Sequence, residues 1–297
     1  MAQAGACSAD CLHMKNIATT HTSSNAIAEA ATSVQPRRAI RTFAALAASA
    51  VAGLLTFGVM AAPAGASTAS YALSYQSLST NQTVVMRWNP CQTAVTYRVN
   101  LAQAASTSTG RAAALKDVKG AIARLSTATG IHYRYLGTTS RIPTGVDWWR
   151  NTGDAELVIA WVNQNTTAFR TSLLLRDSRG WLSGTAGWQS WRWGAFNGQS
   201  AGAAIVRGYV VLNAAQRSQY AAGFGAGRTR GELLIHELGH TVGLNHVATT
   251  AQIMYPYMIK RSSANYQSGD RTGLAKVGRP AGCISIPAWS GAPADLN

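Results

Sequence analysis

Acidic side chains are scarce in this sequence, and clusters of basic ones are missing. Its 297 residues include 11 Asp and Glu against 26 Lys and Arg, which gives a formal net charge of +15. Such an excess is typical of proteins that bind nucleic acids through clustered Lys and Arg. Here the basic residues are spread from Arg87 to Arg279 without a Lys/Arg run, a zinc-finger spacing or a Gly-aromatic RNA-binding motif. We therefore expect no nucleic-acid partner, and we interpret the basic surface as one that keeps an exported protein near anionic cell-wall or membrane polymers.

The N-terminal part of the chain has the pattern of an export signal. Three arginines precede an apolar stretch from Phe43 to Met60, and the small residues Ala64–Ala66 follow it. We interpret residues 1–66 as an N-terminal extension and signal peptide with its apolar core at 43–60, cleaved before Ser67. The apolar stretch is long enough for an uncleaved membrane anchor to be the alternative. The predicted location is extracellular.

Cysteine is also rare, with four in the chain. Cys7 and Cys11 precede the predicted cleavage site, so Cys91 and Cys283 are the only pair left in the exported chain. Because exported proteins fold in oxidising surroundings, we expect these two to be joined. In the chain-entropy model, a bridge across so long a loop stabilises the fold by roughly 5 kcal/mol. Two free buried thiols are the alternative.

After the signal, the sequence alternates between the periods of strands and helices. A Ser/Thr/Ala-rich stretch makes 67–83 a short linker, and 84–297 is predicted to be a single domain. Apolar steps of three and four residues that end at Gly130 predict a helix with a glycine stop. Strands are predicted from alternation or short apolar runs at Thr93–Val99, Ile131–Tyr135, Glu156–Val162 and Ala203–Leu212. This order indicates an α/β or α+β arrangement with a mixed sheet.

Tryptophans are concentrated between the last two predicted strands, at Trp181, Trp188, Trp191 and Trp193. Their large apolar rings suit a surface that binds carbohydrate or peptide. Packing in the core and along a sheet edge is the other interpretation, and it is the more common use of tryptophan.

The segment Gly231–His246, GELLIHELGHTVGLNH, carries the strongest functional signal. Its apolar residues recur at helical spacing up to Gly243. His236 and His240 are four residues apart and share one helix face, so both imidazoles can reach a single ion. Gly243 adopts positive φ without steric cost, which allows the chain to turn and bring His246 back as a third ligand.

Three neutral imidazoles leave the fourth tetrahedral position to water, which is typical of a catalytic zinc. Zinc lowers the pKa of that water to about 7. Glu237 directly follows the first ligand, and we predict that it is the general base for attack on a peptide carbonyl. Three histidines and a carboxylate without partners beside an apolar helix would be costly to bury.

The eleven-residue pattern HELGHTVGLNH resembles that of the metzincin zinc peptidases. The later segment Gln252–Pro256, QIMYP, is similar to the Met-turn of that clan, which implies that Met254 supports the metal site from below. More of the chain is similar to the secreted matrixin-like metalloproteases of actinobacteria, at 87–91, 156–161, 208–213 and 269–278.

The resemblance implies an α+β, metzincin-like (zincin) catalytic domain, with a twisted mixed five-stranded sheet, an active-site helix and a C-terminal helix. An edge strand at Gly184–Trp193 would line the cleft, where an extended substrate can add as a further strand. Trp188 and Trp191 would then contact the substrate.

Three features depart from the matrixin pattern. No cysteine lies between Ser67 and Trp88, so the chain lacks the thiol with which matrixin propeptides cap their zinc. Val247 follows the third ligand, where matrixins typically have Ser. Few acidic residues are left for calcium loops. A structural calcium ion would therefore depend on backbone carbonyls together with Asp147, Asp154 or Asp177.

These observations favour a secreted zinc metalloendopeptidase that acts as a monomer on protein or peptide substrates. A zinc amidase that acts on cell-wall material is the first alternative, because the same chemistry attacks other carbonyls. A wall-binding module without turnover is the second. Such a module has no need of Glu237.

Overall fold

The computed structural model describes residues 70–78, 82–143, 148–163, 176–177, 180–195, 198, 200–288 and 291. The N-terminal extension and signal peptide predicted at 1–66, including the apolar core at 43–60, lie outside these residues. Within them, no helix combines the length and the hydrophobicity that a membrane-spanning segment needs.

The six elements predicted from periodicity, four strands and two helices, are all present in the structure. The described strands are β1 (Ala72–Leu73), β2 (Tyr75–Ser77), β3 (Thr83–Val85), β4 (Val95–Asn100), β5 (Tyr133–Thr138), β6 (Leu157–Val162), β7 (Arg176–Asp177), β8 (Gly180–Trp181), β9 (Gly184–Trp193), β10 (Gly202–Asn213) and β11 (Leu244–Asn245). The α-helices of the described residues are α1 (Ser108–Thr129), α2 (Arg230–Thr241) and α3 (Ser268–Val277).

Five of the strands form one mixed sheet in the order β5-β4-β6-β10-β9. Neighbouring strands are parallel except β9, which runs antiparallel to β10 and lies at the edge. Every residue of β6 is buried, as its continuous apolar sequence predicts for a central strand. The structure confirms the predicted α+β fold with a mixed five-stranded sheet.

Alternate residues of the central strands contribute to two hydrophobic clusters. Leu157, Ile159 and Trp161 of β6 belong to the larger cluster, which includes the apolar faces of α1 and α2. Ala160 and Val162 belong to a smaller cluster. Because successive side chains of a strand point to opposite faces, the two helices cover the same side of the sheet. Helix α2, which carries His236, Glu237 and His240, therefore packs on that side of the sheet.

The segment expected to be a linker at 67–83 contains strands where it is described, which corrects that expectation. β2 and β3 form an antiparallel hairpin, and β1 pairs antiparallel with β11. The Ser74 amide donates a hydrogen bond of 2.8 Å to the Gly243 carbonyl. β1 is too short for periodicity to reveal, and its partner strand is remote in sequence, so the pattern alone could not predict the pairing.

Cys91 and Cys283 form a disulfide across a sequence separation of 192 residues. Noncovalent contacts join the same two regions. The Ile284 amide donates to the Asn89 side-chain oxygen at 3.2 Å, and the Arg87 guanidinium donates to the Gly282 carbonyl at 2.7 Å. The disulfide therefore joins two regions of the chain that hydrogen bonds also hold together.

Reduction of this disulfide is expected to lower the free energy of unfolding by about 5 kcal/mol, the loop-closure value for so long a loop. The noncovalent contacts should preserve the native fold without the bridge. Denaturant unfolding with and without a reductant measures the effect. The Cys91→Ser/Cys283→Ser double variant is the control, because its free energy of unfolding should not depend on the reductant. Equal unfolding free energies in the two conditions would contradict the prediction.

Candidate metal centre

Helix α2 begins with a side-chain cap and a buried ion pair. The Thr229 hydroxyl accepts a hydrogen bond of 3.1 Å from the Glu232 amide, which satisfies one free amide of the first turn. The Glu232 carboxylate is 2% exposed and pairs with Arg261 at 2.7 Å. Every residue from Gly231 to Thr241 is buried, so the functional side chains of this helix lie between the sheet and the following segments.

The three predicted ligands converge on one point. The Nε2 atoms of His236 and His240 are 3.2 Å apart, and the His246 Nε2 lies 3.2 Å from the first and 3.1 Å from the second. A tetrahedral zinc ion with Zn–N distances of 2.0–2.1 Å needs nitrogen atoms roughly 3.3 Å apart. The residues present therefore fit a zinc ion in spacing and in donor type. Within the described residues, these three histidines are the group of at least three His, Cys, Asp or Glu side chains whose ligand atoms lie close enough to hold one metal ion.

Backbone carbonyls fix the orientation of two of the rings. The Nδ1 of His236 lies 2.7 Å from the Ile253 carbonyl, and the Nδ1 of His240 lies 3.0 Å from the Leu244 carbonyl. A carbonyl accepts a hydrogen bond, so each Nδ1 is the protonated nitrogen and each Nε2 keeps its lone pair for a metal.

The burial of these rings also favours the neutral form that a metal requires. It lowers the pKa of His240 to about 4. It also lowers the pKa of His236 well below its ordinary value, and the neighbouring His240 contributes to that shift. Both rings are therefore neutral at pH 7, and no proton has to leave before an ion binds.

A glycine turn brings the third ligand back to the helix. Gly243 has a φ of 101°, which side chains rarely adopt, and a Cβ at this position would overlap the Met86 carbonyl oxygen. Strand β11 follows at once and pairs with β1, and His246 comes directly after β11. The sequence motif predicts the turn at Gly243. The structure adds that the pairing of β11 with β1 holds the chain in place after the turn.

Met254 lies against the helix between the first two ligands. A Cβ on Gly239 would come within 2.5 Å of the Met254 sulfur, so the thioether occupies the space that this glycine leaves free. The Met254 carbonyl also accepts a hydrogen bond of 3.0 Å from the Val247 amide, next to His246. Met254 therefore packs against α2 next to the three histidines, and its role as a support of the metal site stays a prediction.

Asp270 of α3 holds the turn that contains Ile253 and Met254. The sequence analysis did not single out this residue. Its carboxylate accepts hydrogen bonds from the amides of Ile253 at 2.8 Å, Met254 at 3.2 Å and Gln267 at 2.8 Å. The Ile253 carbonyl in turn orients His236. The available signal was the spacing Gln-x-x-Asp at the start of a helix, because Gln267 and Asp270 form a capping box.

Replacing Asp270 with Ala leaves three backbone amides without their acceptors. We expect a loss of roughly 3 kcal/mol in unfolding free energy and a zinc affinity about 10- to 100-fold weaker. Thermal unfolding and a competition titration with a zinc indicator measure the two effects. Arg271→Ala changes the exposed neighbour on the same helix and is the matched control. Equal zinc affinities for the two variants would contradict the prediction.

Glu237 is 2% exposed, and its burial raises the pKa of the carboxyl to about 8. A dication held by the neighbouring histidines would favour the ionised form instead. Its carboxylate reaches the edge strand, where a Cβ on Gly184 would lie 2.5 Å from its Oε1 atom. The carboxylate therefore lies between α2 and β9.

The two tryptophans predicted for the substrate cleft do not share a face. They are three residues apart on β9, so their rings point to opposite sides of the sheet. Trp188 is 6% exposed and belongs to the larger hydrophobic cluster, whereas Trp191 is half-buried on the other side. The structure corrects the expectation for Trp188, which packs in the core. Trp181 lies outside the side chains that the structure describes.

Of the three aspartates considered for calcium, the structure describes the side chain of Asp154 alone. Asp154 pairs with Arg98 through two hydrogen bonds of 2.7 and 2.8 Å, so its oxygens already have a cationic partner. Asp147 lies outside the described residues, as does the side chain of Asp177.

Comparison with known proteins supports the interpretation of this centre. The matrixin family model (peptidase M10) matches residues 196–277, a range that contains Glu237, Met254 and the three histidines. No curated protein compared with the chain matches it. The match and the mixed α+β architecture together support a zinc metallopeptidase of the metzincin type.

Proposed function

We propose that this protein is a secreted zinc endopeptidase that cleaves proteins or peptides, with Glu237 as its general base. The observation that carries the proposal is the convergence of three histidine Nε2 atoms within 3.1–3.2 Å, with a buried carboxylate on the same helix. Three neutral nitrogen donors are the ligand set of a catalytic zinc rather than of a structural one.

The residues divide the reaction between them. His236, His240 and His246 would hold a zinc ion through Nε2. When bound, it would supply Lewis acidity that lowers the pKa of a water molecule to about 7 and stabilises negative charge on a carbonyl oxygen. Glu237 accepts the proton of the attacking water and donates it to the amine of the leaving product. The carbonyls of Ile253 and Leu244 hold the two helical imidazoles in their metal-binding orientation.

The edge strand β9 suits an extended peptide substrate. Among the described strands, β9 pairs with β10 alone, and its first residue, Gly184, approaches Glu237. A peptide that adds through main-chain hydrogen bonds to the side of β9 opposite β10 would pass next to the general base. This geometry favours cleavage within a chain.

Export is supported by the arginines and the apolar core at 43–60, and by the disulfide between Cys91 and Cys283, because disulfides persist in oxidising compartments. An expressing host should release a chain that begins at Ser67 into the medium. N-terminal sequencing of that material measures the cleavage site. A full-length chain retained in the membrane would instead support the uncleaved anchor.

Hydrolysis of casein by the purified protein, with and without a zinc chelator, tests the proposed activity. We expect cleavage that the chelator abolishes and added zinc restores. Digestion of peptidoglycan in place of casein would support the cell-wall amidase. A folded, zinc-loaded sample that cleaves neither substrate would support a wall-binding module.

A further inference from the structure

We propose that Gly184 is a positioning residue for Glu237: its bare backbone leaves the space that the general base occupies. A Cβ at Gly184 would lie 2.5 Å from Glu237 Oε1, which is closer than real Cβ atoms approach, and 3.0 Å from Glu237 Cδ, which is a tight contact. The inference rests on the proposed function, because it assigns to Gly184 a role in placing the carboxylate that takes the proton.

The backbone at Gly184 is held in place through the two residues that precede it. The Asn213 amide donates to the Ser183 carbonyl at 2.8 Å, and the Asn213 side chain donates to the Leu182 carbonyl at 3.0 Å. The Tyr220 hydroxyl donates to the Ser183 hydroxyl at 2.6 Å. Because these buried contacts hold the start of β9, the strand cannot easily retreat from an added methyl group.

The side chain of Glu237 is what can move. The atoms that a methyl at Gly184 would meet are the carboxylate of Glu237 and a terminal methyl of Leu212, at 2.9 Å. Both are the ends of flexible side chains, so the fold tolerates the substitution while the carboxylate shifts. A shift of about 1 Å in a catalytic group can cost about 100-fold in rate.

Crystal structures of the zinc-free protein and its Gly184→Ala variant give the first test. We expect the Glu237 carboxylate to be displaced from the strand in the variant, with the three imidazoles unmoved. A carboxylate that keeps its place would overturn the proposal. This readout does not depend on any activity of the protein.

Kinetics of the zinc-loaded variant give the second test. Gly184→Ala is expected to lower kcat about 30- to 100-fold while it keeps stoichiometric zinc, its thermal stability and its KM for a peptide substrate. Gly194→Ala is the matched control, since a Cβ there meets nothing within 4 Å, and it should match the wild type. An unchanged kcat in Gly184→Ala would overturn the proposal.

A double variant separates direct contact from a general disturbance of the strand. Glu237→Asp shortens the side chain by one methylene and withdraws the carboxylate from the added methyl. Gly184→Ala should therefore cost less than about threefold in kcat within the Glu237→Asp background, since residues in contact are not additive. Equal losses in both backgrounds would overturn the proposal. A wild type without zinc-dependent cleavage would count against the proposed function instead, and the crystallographic comparison would still decide the role of Gly184.

Discussion

Glu237→Gln is expected to bind zinc as tightly as the wild type and to lose activity by about 10³-fold, within the range for removal of a general base. The amide has nearly the same size as the carboxylate, so it fits the buried site between α2 and β9. It cannot accept a proton from water at neutral pH. Zinc stoichiometry and kcat on the same samples measure the two properties.

A second buried glutamate provides the control. Glu156 is 3% exposed, and its carboxylate accepts hydrogen bonds from the Thr96 amide at 2.6 Å and the Gln92 side chain at 3.0 Å. Glu156→Gln should therefore lower stability but leave kcat of the folded protein near that of the wild type. If Glu237→Gln retained more than about a tenth of the activity, the assignment of the general base would be wrong.

Local periodicity was sufficient to predict four of the five strands of the main sheet and the helices α1 and α2, whereas β9 and α3 were implied by the family resemblance. The alternation in β4, the apolar run of β6 and the helical spacing before Gly130 each arise from burial of one face or of a whole strand. Gly130 has a φ of 71° and ends α1 as expected. The convergence of the three histidines was also predictable, because two of them share a helix face and a glycine turn precedes the third.

Long-range pairing was not predictable from the sequence. Asp270 binds the amides of Ile253 and Met254, and no periodic signal connects a residue of α3 with that turn. β1 likewise has two residues and pairs with β11, which is remote in sequence. The side of the sheet on which Trp188 lies also depends on the register of β9. These features follow from tertiary packing, which the local pattern does not contain.

Two other segments contact the turn that carries His246, and one of them is remote in sequence. The Ser74 amide binds the Gly243 carbonyl, β1 pairs with β11, and the Met254 carbonyl binds the Val247 amide. The first two contacts come from the region that the sequence suggested was a linker. The N-terminal strand is thus part of the structure that places His246, although it contributes no ligand.

Gly243→Ala is expected to weaken zinc binding by at least about 100-fold and to reduce proteolysis in the same proportion at limiting zinc. The residue has a φ of 101°, and an added Cβ would overlap the backbone carbonyl of Met86, which cannot move aside as a side chain can. The turn must therefore open, which moves the His246 imidazole away from the other two histidines. A competition titration with a zinc indicator measures the affinity.

Gly282→Ala separates this clash from the cost of the left-handed conformation alone. Gly282 also has a positive φ, 78°, but a Cβ there meets nothing within 4 Å. That variant should lose about 1–2 kcal/mol of stability and keep the zinc affinity of the wild type. If both variants lost stability equally and both kept zinc, the close approach of Met86 to Gly243 would have no part in placing the third ligand.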